Sequence, residues 1–435
     1  MAKTRKHLSA KGLLNTTFNC FSKISDTVTR KTSMNLTDCL MSGLAVFSMK
    51  YPSLLQFEKS QAEAEISHNL KALYKVKRVP SDTYMRERLD EIKPSELRAP
   101  YKSIFADLQR GKVLEQFSHI DDHYLLSLDG TGYFSSHDIH CESCCEKHHR
   151  NGQTTYYHQM LGAALVHPDL KQVIPFAPEP ILKQDGKKKN DCERNAAKRL
   201  LETIRREHPP LKLTIIEDGL ASNAPHINLL RELKMQFILG AKSSDHKFLF
   251  EWVGQSTQTK EYQYADEKGI THRFRYLNHA PLNNANCDCE INFLEYWEVK
   301  PNGKQVHFSW VTDISLNENN IISVMKGGRA RWKIENETFN TLKNQGYHFE
   351  HNFGHGKQHL STVFAHLMLL AFLIDQVQEL TCHLFQHGIV RAKGKKRFWE
   401  KLRGFFLNFL IHSWDELMQV MAYGKKPVSL FNDTS

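Results

Sequence analysis

The part of the sequence that most constrains the fold is an amphipathic helix followed closely by an apolar run. In DCERNAAKRLLETIRREHP, residues such as Ala196, Leu200 and Ile204 share one stripe, and the pattern stops at Pro209. The next run, LKLTIIEDG, has the length and composition of a strand. Three short apolar runs, YLLSLDGTGYF, TYYHQMLGAALVHP and KQVIPFAP, precede the helix and read as neighbouring strands. We therefore expect a β-α-β unit and an α/β fold.

The hydrophobic pattern changes along the chain and predicts three regions. Residues 1–115 are expected to be helical, residues 116–355 to form an α/β core, and residues 356–435 to be helical again. Strand-like patterns at about 240–318 indicate a β-rich insertion in the core, with Asn302-Gly303 as the turn of a hairpin. The expected fold is a mixed sheet flanked by helices.

Composition favours a nucleic-acid partner and a reducing compartment. Lysine and arginine total 58 against 48 acidic residues, so the net charge is +10, which suits a polyanionic ligand. The basic N-terminus lacks the apolar segment of a signal peptide, and the apolar run from Val363 to Ile374 is too short to span a bilayer. Nine cysteines are too few for a disulfide scaffold. We expect a cytoplasmic protein with no membrane partner.

Two aspartates follow apolar strand patterns: Asp129 in LLSLDGTGY and Asp218 in LTIIEDGLAS. Strand ends in α/β sheets face a shared crevice, and clustered carboxylates suit Mg²⁺ or Mn²⁺. A third acid is available in ARWKIENETFNTLKNQ, and three carboxylates holding two such ions can support in-line phosphoryl transfer. The alternative is that each Asp-Gly pair only forms a turn.

The trio LDGTGY, IEDGLAS and RARWKIENETFNTLKNQGY resembles, in order and spacing, the DDE transposases of bacterial insertion sequences, in the insertion-sequence-four superfamily. The resemblance extends from about residue 40 to 370. It implies a ribonuclease H-like core whose first and fourth strands carry Asp129 and Asp218, with Glu335 on a helix after a β-rich insertion. These three residues would be catalytic and would hold two Mg²⁺ or Mn²⁺ ions.

The same resemblance implies an activity and partners. The enzyme would move an insertion sequence by cut-and-paste, through hydrolysis at the element ends and 3′-hydroxyl strand transfer into target DNA. Its partners would be double-stranded DNA, as terminal inverted repeats bound by residues 1–115 and as target, and a second subunit in a homodimeric synaptic complex. The expected location is the bacterial cytoplasm, in association with the nucleoid.

The third motif matches the superfamily pattern only in part. That pattern is Tyr, two residues, Arg, three residues, Glu, six residues, Lys. Arg331 and Glu335 keep their spacing, but Gly328 stands in place of Tyr and Lys343 comes one residue late. Glu337 is the alternative third acid, although Glu335 shares a helix face with Phe339 and Leu342. Arg331 and Lys343 are expected to contact DNA phosphates, or else to belong to a solvated helix face.

Several other residues suggest binding. Cys141, Cys144, Cys145, His148 and His149 lie close together in HCESCCEKHHR, with the ligand types of a structural zinc site, although a loop with incidental thiols is the alternative. In the insertion, Trp297 and Trp310 are expected either to stack on a DNA base or, with greater weight, to pack in the core.

Acidic and basic clusters complete the set of candidates. Asp185, Asp191 and Glu193 form an acidic cluster in which Asp191 is expected to cap the following helix. Basic clusters at 3–6, 187–189 and 391–397 are candidates for phosphate contact or simply solvated.

Two other functions remain open. The first is a catalytically inactive, transposase-derived DNA-binding protein, which the complete set of three acids disfavours. The second is a structure-specific ribonuclease H-like nuclease, which would cut DNA without joining it.

Overall fold

A mixed sheet of 12 strands forms the centre of the protein, with helices against it. The computed structural model describes residues 6–26, 34–183 and 191–424. The basic clusters at 3–6 (except Lys6) and at 187–189, and also Asp185, lie outside the described residues. The strands are β1 (Ser118–Ile120), β2 (His123–Ser136), β3 (Cys145–His148), β4 (Thr154–Val166), β5 (Ile174–Pro175), β6 (Glu179–Ile181), β7 (Leu213–Glu217), β8 (Gln236–Gly240), β9 (Lys260–Ala265), β10 (Thr271–Asn283), β11 (Asn286–Val299) and β12 (Gln305–Thr312).

The order of the strands is that of a ribonuclease H-like core. Strand β2 pairs antiparallel with β4 on one side and parallel with β7 on the other, and β7 pairs parallel with β8. The short strands β5 and β6 pair with the far edge of β4. The helix between β6 and β7 is amphipathic. Its apolar stripe, which includes Ala196, Leu200 and Ile204, is buried. The predicted β-α-β unit and α/β fold class are therefore confirmed.

Strands β9 to β12 form the β-rich insertion and extend the same sheet. They pair antiparallel in sequence order, and β12 joins them to the core by pairing antiparallel with β8. The predicted turn at Asn302-Gly303 connects β11 and β12, and Gly303 has the positive φ of 80° that such a turn requires. The hairpin prediction is confirmed.

Helices surround the sheet and occupy both ends of the chain. They are α1 (Ala10–Phe21), α2 (Leu36–Ser48), α3 (Leu54–Ser60), α4 (Ala64–Tyr74), α5 (Asp82–Asp90), α6 (Arg98–Arg110), α7 (Glu193–Glu207), α8 (Ala224–Glu232), α9 (Lys247–Gln255), α10 (Ile321–Arg329), α11 (Asn340–Asn344), α12 (Leu360–Thr381), α13 (His383–Ala392), α14 (Lys395–Asn408) and α15 (Trp414–Tyr423). Short 3₁₀ helices lie at Lys6–Leu8, Pro94–Leu97 and Leu114–Phe117, and a π-helical segment, Ile334–Phe339, lies directly before α11.

The helices from the two ends of the chain pack against each other. The buried ammonium of Lys50 lies 2.6 Å from the carboxylate of Asp375 in α12. The side-chain amide of Asn69 donates hydrogen bonds of 2.8 Å to the carbonyl groups of Phe406 and Phe409. The side chains of Lys50, Asp375 and Asn69 are buried and would be destabilising without their partners, so these contacts fix how the helices pack together.

Helix α12 is almost entirely buried. Among the described residues it is the one helix long and apolar enough to span a membrane by composition, but 94% of its apolar window is buried inside the protein. It extends well beyond the apolar run identified in the sequence, from Leu360 to Thr381. Its burial identifies it as a core helix of this fold.

Candidate functional site

Asp129 and Asp218 lie next to each other because of the register of two parallel strands. In the β2–β7 pair, Tyr124 is opposite Leu213 and Ser127 is opposite Ile216. Asp129 lies as far beyond Tyr124 as Asp218 lies beyond Leu213, so the same register brings the two aspartates to the same level of the sheet. Residues at one level of a parallel pair project to the same face, and the two carboxylates therefore share one cleft.

The two aspartates differ in backbone setting. Asp129 lies inside β2 rather than at its end, so the idea that Asp129 and Gly130 only form a turn is wrong. Asp218 directly follows β7, and its carboxylate accepts a hydrogen bond of 2.9 Å from the backbone N–H of Leu220. Asp218 thus helps to form a turn and also faces the cleft.

Asp129 is held in an electrostatically unfavourable position. Burial raises the pKa of its carboxyl, and the neighbouring charges of Glu335 and Asp218 raise it further. The guanidinium of Arg331, 3.8 Å away, and the backbone N–H of Gly130, at 3.0 Å, lower the pKa but do not outweigh these effects. The charges of Asp218 and Glu335 therefore both act on Asp129, and burial adds to their effect on its pKa.

The π-helical segment carries Glu335 toward the strand of Asp129. Two contacts anchor this part of the chain to the sheet. The hydroxyl of Ser127 donates a hydrogen bond of 3.1 Å to the carbonyl of Arg331. The ring of Phe339 packs on Gly162 of β4, the residue that pairs with Asp129. Glu335 is exposed and acts electrostatically on Asp129.

Glu337 faces a different set of groups. Its charge acts on the ammonium of Lys333, whose side chain donates a hydrogen bond of 2.5 Å to the carbonyl of Leu170. In a helix with i→i+5 hydrogen bonds, side chains two positions apart in sequence are rotated by somewhat less than half a turn about the helix axis. Glu335 and Glu337 therefore point in different directions here, as the sequence predicted for an α-helix.

The π-helical segment lengthens the spacing between Glu335 and Lys343. A π turn contains one more residue than an α turn, and the segment Ile334–Phe339 begins just before Glu335 and ends before Lys343. The extra residue in the spacing is thus absorbed within the helix. The ammonium of Lys343 lies 2.8 Å from the carboxylate of Glu350.

An aromatic ring fills the space beside Gly328. A side chain at this position would collide with the indole ring of Trp310, which is buried and projects from β12. The expectation that Trp310 packs in the core is confirmed. In the superfamily pattern a tyrosine occupies the place of Gly328, whereas here the aromatic ring comes from the insertion.

Two further carboxylates line the cleft and were not assigned to it from sequence. The carboxylate of Glu193, in the first turn of α7, lies against Gly130. Burial raises the pKa of Glu193, and Asp129 and Asp218 raise it further. The second, Glu217, lies 2.6 Å from the Nε2 atom of His226.

The cleft has a volume of about 960 Å³, and basic side chains such as Arg194 and Lys198 also line it.

The expectation that Asp191 caps α7 is wrong, because the N-cap is Cys192 and the buried Asp191 carboxylate accepts a hydrogen bond of 2.6 Å from Arg199.

Trp297 lies on a basic, partly exposed face of the insertion. Its ring stacks on the imidazole of His307 with centroids 5.0 Å apart, and the guanidinium groups of Arg273 and Arg275 lie 5.8 and 5.7 Å from the ring centroid. The side chain is half-buried and lines a surface pocket with Tyr262. The greater weight given to core packing was therefore wrong for Trp297.

The predicted zinc-binding loop contributes two residues to a Cys/His cluster. Cys141 and Cys144 come together with His158 of β4 and with His355, in the segment before α12. Cys145 points elsewhere and donates a 3.6 Å hydrogen bond to the carbonyl of Ile181. His148 and His149 are exposed and contact the hydroxyl groups of Thr154 and Thr155. Of the five predicted residues, Cys141 and Cys144 belong to the cluster, whereas Cys145, His148 and His149 lie outside it.

Comparisons with known proteins give little further information. No family model matches the chain, and no curated protein matches it. Among solved structures, it is similar to a piggyBac transposase in a synaptic complex with hairpin DNA, determined by cryo-EM. The TM-score is 0.39 and the identity 11%, over 99% of this chain and 85% of the other. A likeness this low carries no argument, so the function must be inferred from the site itself.

Proposed function

We propose that this protein is a DDE transposase that moves a bacterial insertion sequence by cut-and-paste. The observation that carries the proposal is that Asp129 from β2 and Asp218 from the turn after β7 share one cleft, with Glu335 of the π-helical segment near enough for its charge to raise the pKa of Asp129. These elements are far apart in sequence, and their order matches the resemblance seen in the three motifs. Arg331 lies beside the same group of acids.

The acids of the cleft fit hard divalent cations. Every donor that Asp129, Asp218 and Glu335 offer is a carboxylate oxygen, the ligand type of Mg²⁺ and Mn²⁺. Asp129 and Glu193 both have raised pKa values because burial and neighbouring acids disfavour their ionised forms, which a bound cation would relieve. Two such ions, when bound, would polarise the scissile phosphate and stabilise the charges that develop during displacement.

The other residues of the site have complementary roles in this proposal. Arg331 holds the phosphate that is cut, because a guanidinium binds phosphate oxygens through paired donors. Lys343 contacts DNA backbone after exchanging its partner Glu350 for a phosphate. Trp297, between two arginines, stacks on a base of the element end. The helices within residues 1–115 bind the inverted repeats, and a homodimer in the cytoplasm holds both DNA ends.

The experiment uses the DNA that flanks the gene. Matching inverted repeats are sought there, and end-labelled duplexes containing them are incubated with the full-length protein in Mg²⁺. We expect cleavage at the repeat ends and joining of a pre-cut 3′-hydroxyl end to target DNA. Asp129→Asn and Asp218→Asn should each lower both reactions by about 1000-fold or more, since losing a metal ligand removes several kcal/mol of transition-state stabilisation. DNA binding should remain near the wild-type level.

The outcomes separate the proposal from its alternatives. Cleavage without joining, at sites unrelated to the repeats, would indicate a structure-specific nuclease. Specific binding without either reaction would indicate an inactive DNA-binding protein. Activity of Asp129→Asn within about tenfold of wild type, equivalent to 1.4 kcal/mol, would contradict the assignment of the acids.

A further inference from the structure

Four metal-binding side chains converge at a point between the sheet and α12. Cys141 and Cys144 belong to the segment between β2 and β3, His158 lies on β4, and His355 comes from the segment before α12. One donor atom from each residue lies within 4.8 Å of all the others. His355 is 211 residues from Cys144 in sequence, so the fold itself brings the set together.

The distances within this cluster match those of a tetrahedral zinc site. Zn–S bonds of about 2.3 Å and Zn–N bonds of 2.0 to 2.1 Å place two sulfurs about 3.8 Å apart and a sulfur and a nitrogen about 3.5 to 3.6 Å apart. The two Sγ atoms are 3.8 Å apart, and Cys144 Sγ lies 3.4 and 3.5 Å from the Nε2 atoms of His158 and His355. Cys141 Sγ lies 3.5 Å from Nε2 of His158.

The cluster is buried, and packing rather than hydrogen bonding orients its histidine rings. Cys144, His158 and His355 are buried, and the Nδ1 atoms of both histidines have no hydrogen-bond partner among the described residues. The rings are held instead by aromatic neighbours. His158 stacks on Tyr133 with an interplanar angle of 9°, and His355 lies 4.3 Å from the ring of Phe134. The packing therefore fixes both Nε2 atoms toward the same interior point as the two Sγ atoms.

We propose that the chain binds one structural Zn²⁺ through Cys141 Sγ, Cys144 Sγ, His158 Nε2 and His355 Nε2. Four protein ligands close the coordination sphere, which is typical of structural rather than catalytic zinc. The site contains no member of the acidic cleft. It is therefore a second metal site, with a different ligand class, in the same protein.

The zinc connects the catalytic sheet to the C-terminal helices. Tyr133 and Phe134, which pack on the two histidines, lie on β2, the strand that also carries Asp129. His355 immediately precedes Gly356, and the following four backbone N–H groups, 357–360, all donate to the carboxylate of Asp90. The metal and Asp90 thus hold the chain on both sides of the entry into α12.

The test measures metal content and ligand type rather than DNA chemistry. Full-length protein without a polyhistidine tag, purified without chelator, is analysed for elements and by zinc X-ray absorption. We expect about one zinc per chain with two sulfur and two nitrogen neighbours. Cys144→Ala and His355→Ala should lose this zinc, whereas the matched controls Cys145→Ala and His149→Ala should retain it. Limited proteolysis of His355→Ala should cut residues 350–359 faster than in wild type.

Two results would overturn the proposal. One is wild-type protein without zinc, and the other is zinc with only oxygen and nitrogen neighbours, which would place the ion elsewhere. If Cys144→Ala does not fold, the absorption spectrum of the wild-type protein still decides the matter. Because these measurements do not depend on DNA cleavage, the zinc site and the proposed transposase activity can fail separately.

Discussion

The ring of Phe339 lies directly on Gly162, the residue that pairs with Asp129 across β4 and β2. A methyl group at Gly162 would come within 2.9 Å of the ring carbon Cζ. The absence of a side chain on β4 therefore sets how closely the π-helical segment approaches the sheet. That distance, in turn, sets where Glu335 lies relative to Asp129.

Gly162→Ala should reduce catalysis more than stability. The added methyl group forces the π-helical segment outward, and a displacement of about 1 Å at a catalytic group lowers activity by about 100-fold. Overpacking of this kind destabilises a protein by about 1–3 kcal/mol. The control is Gly254→Ala in α9, where an added methyl group meets nothing within 4 Å. Cleavage rates and thermal denaturation check both variants, and equal activity of the two would contradict this account of Gly162.

Asp129→Asn should stabilise the metal-free protein while abolishing cleavage. The folded-state pKa of Asp129 is raised, so its contribution to stability is present below its unfolded pKa of about 3.9 and is lost as pH rises through the folded value. At neutral pH in EDTA the ionised carboxylate is therefore destabilising, and removing its charge should raise Tm by roughly 1–3 °C.

Calorimetry of wild type and Asp129→Asn over a range of pH checks this sign. The advantage of the variant should shrink as pH falls through the raised folded pKa of Asp129 and should be gone below the unfolded pKa of about 3.9, where the carboxyl is protonated in both states. Excess Mg²⁺ should also reduce the stability difference between the variant and the wild type, because it binds and stabilises the wild type alone. A variant less stable than wild type in EDTA at neutral pH would be inconsistent with the proposed electrostatics of the cleft.

The ion pair of His226 and Glu217 predicts a second dependence of stability on pH. Here the titrating group is a histidine, which is charged when protonated. Burial of His226 lowers its pKa, but the charge and hydrogen bond of Glu217 outweigh burial and raise it overall. The stability that this pair contributes is present below the unfolded histidine pKa of about 6.5 and is lost as pH rises through the folded value. We therefore expect the free energy of unfolding to fall as pH rises from about 6.5 through the raised folded pKa of His226.

Chemical denaturation at several pH values measures this effect. His226→Gln keeps the size of the side chain but cannot titrate, so this part of the pH dependence should disappear in the variant. His412, which is not ion-paired to a carboxylate in the described structure, provides the control His412→Gln. An unchanged pH profile in His226→Gln would show that another group titrates.

The sequence predicted those features of the site that depend on local pattern. Strand patterns located Asp129 and Asp218, and the amphipathic helix between them implied the parallel pairing that brings them together. Glu335 was preferred to Glu337 from its spacing to Arg331. The π-helical segment could not be foreseen, since α and π turns have no distinct sequence signature, and the spacing of Lys343 revealed it only in retrospect.

Features that depend on distant contacts were missed. His158 and His355 lie outside the cysteine-rich loop, and only the packing of β4 and of the segment before α12 brings them to Cys141 and Cys144. Glu193 was recognised only as one acid among several at the start of α7, because nothing in the local sequence shows that α7 places it against Gly130. The ring that lies against Gly328 belongs to Trp310 of the insertion, and no local sequence pattern connects these two residues.

The most direct test of the central claim compares two glutamates of one helical segment. Glu335→Gln and Glu337→Gln each remove one negative charge without changing side-chain size, and the charge of Glu335 is among those that raise the pKa of Asp129. With element-end DNA in Mg²⁺, Glu335→Gln should lower cleavage and strand transfer by about 1000-fold or more, whereas Glu337→Gln should stay within about tenfold of wild type. Loss of activity in Glu337→Gln with activity retained in Glu335→Gln would contradict the proposed catalytic site.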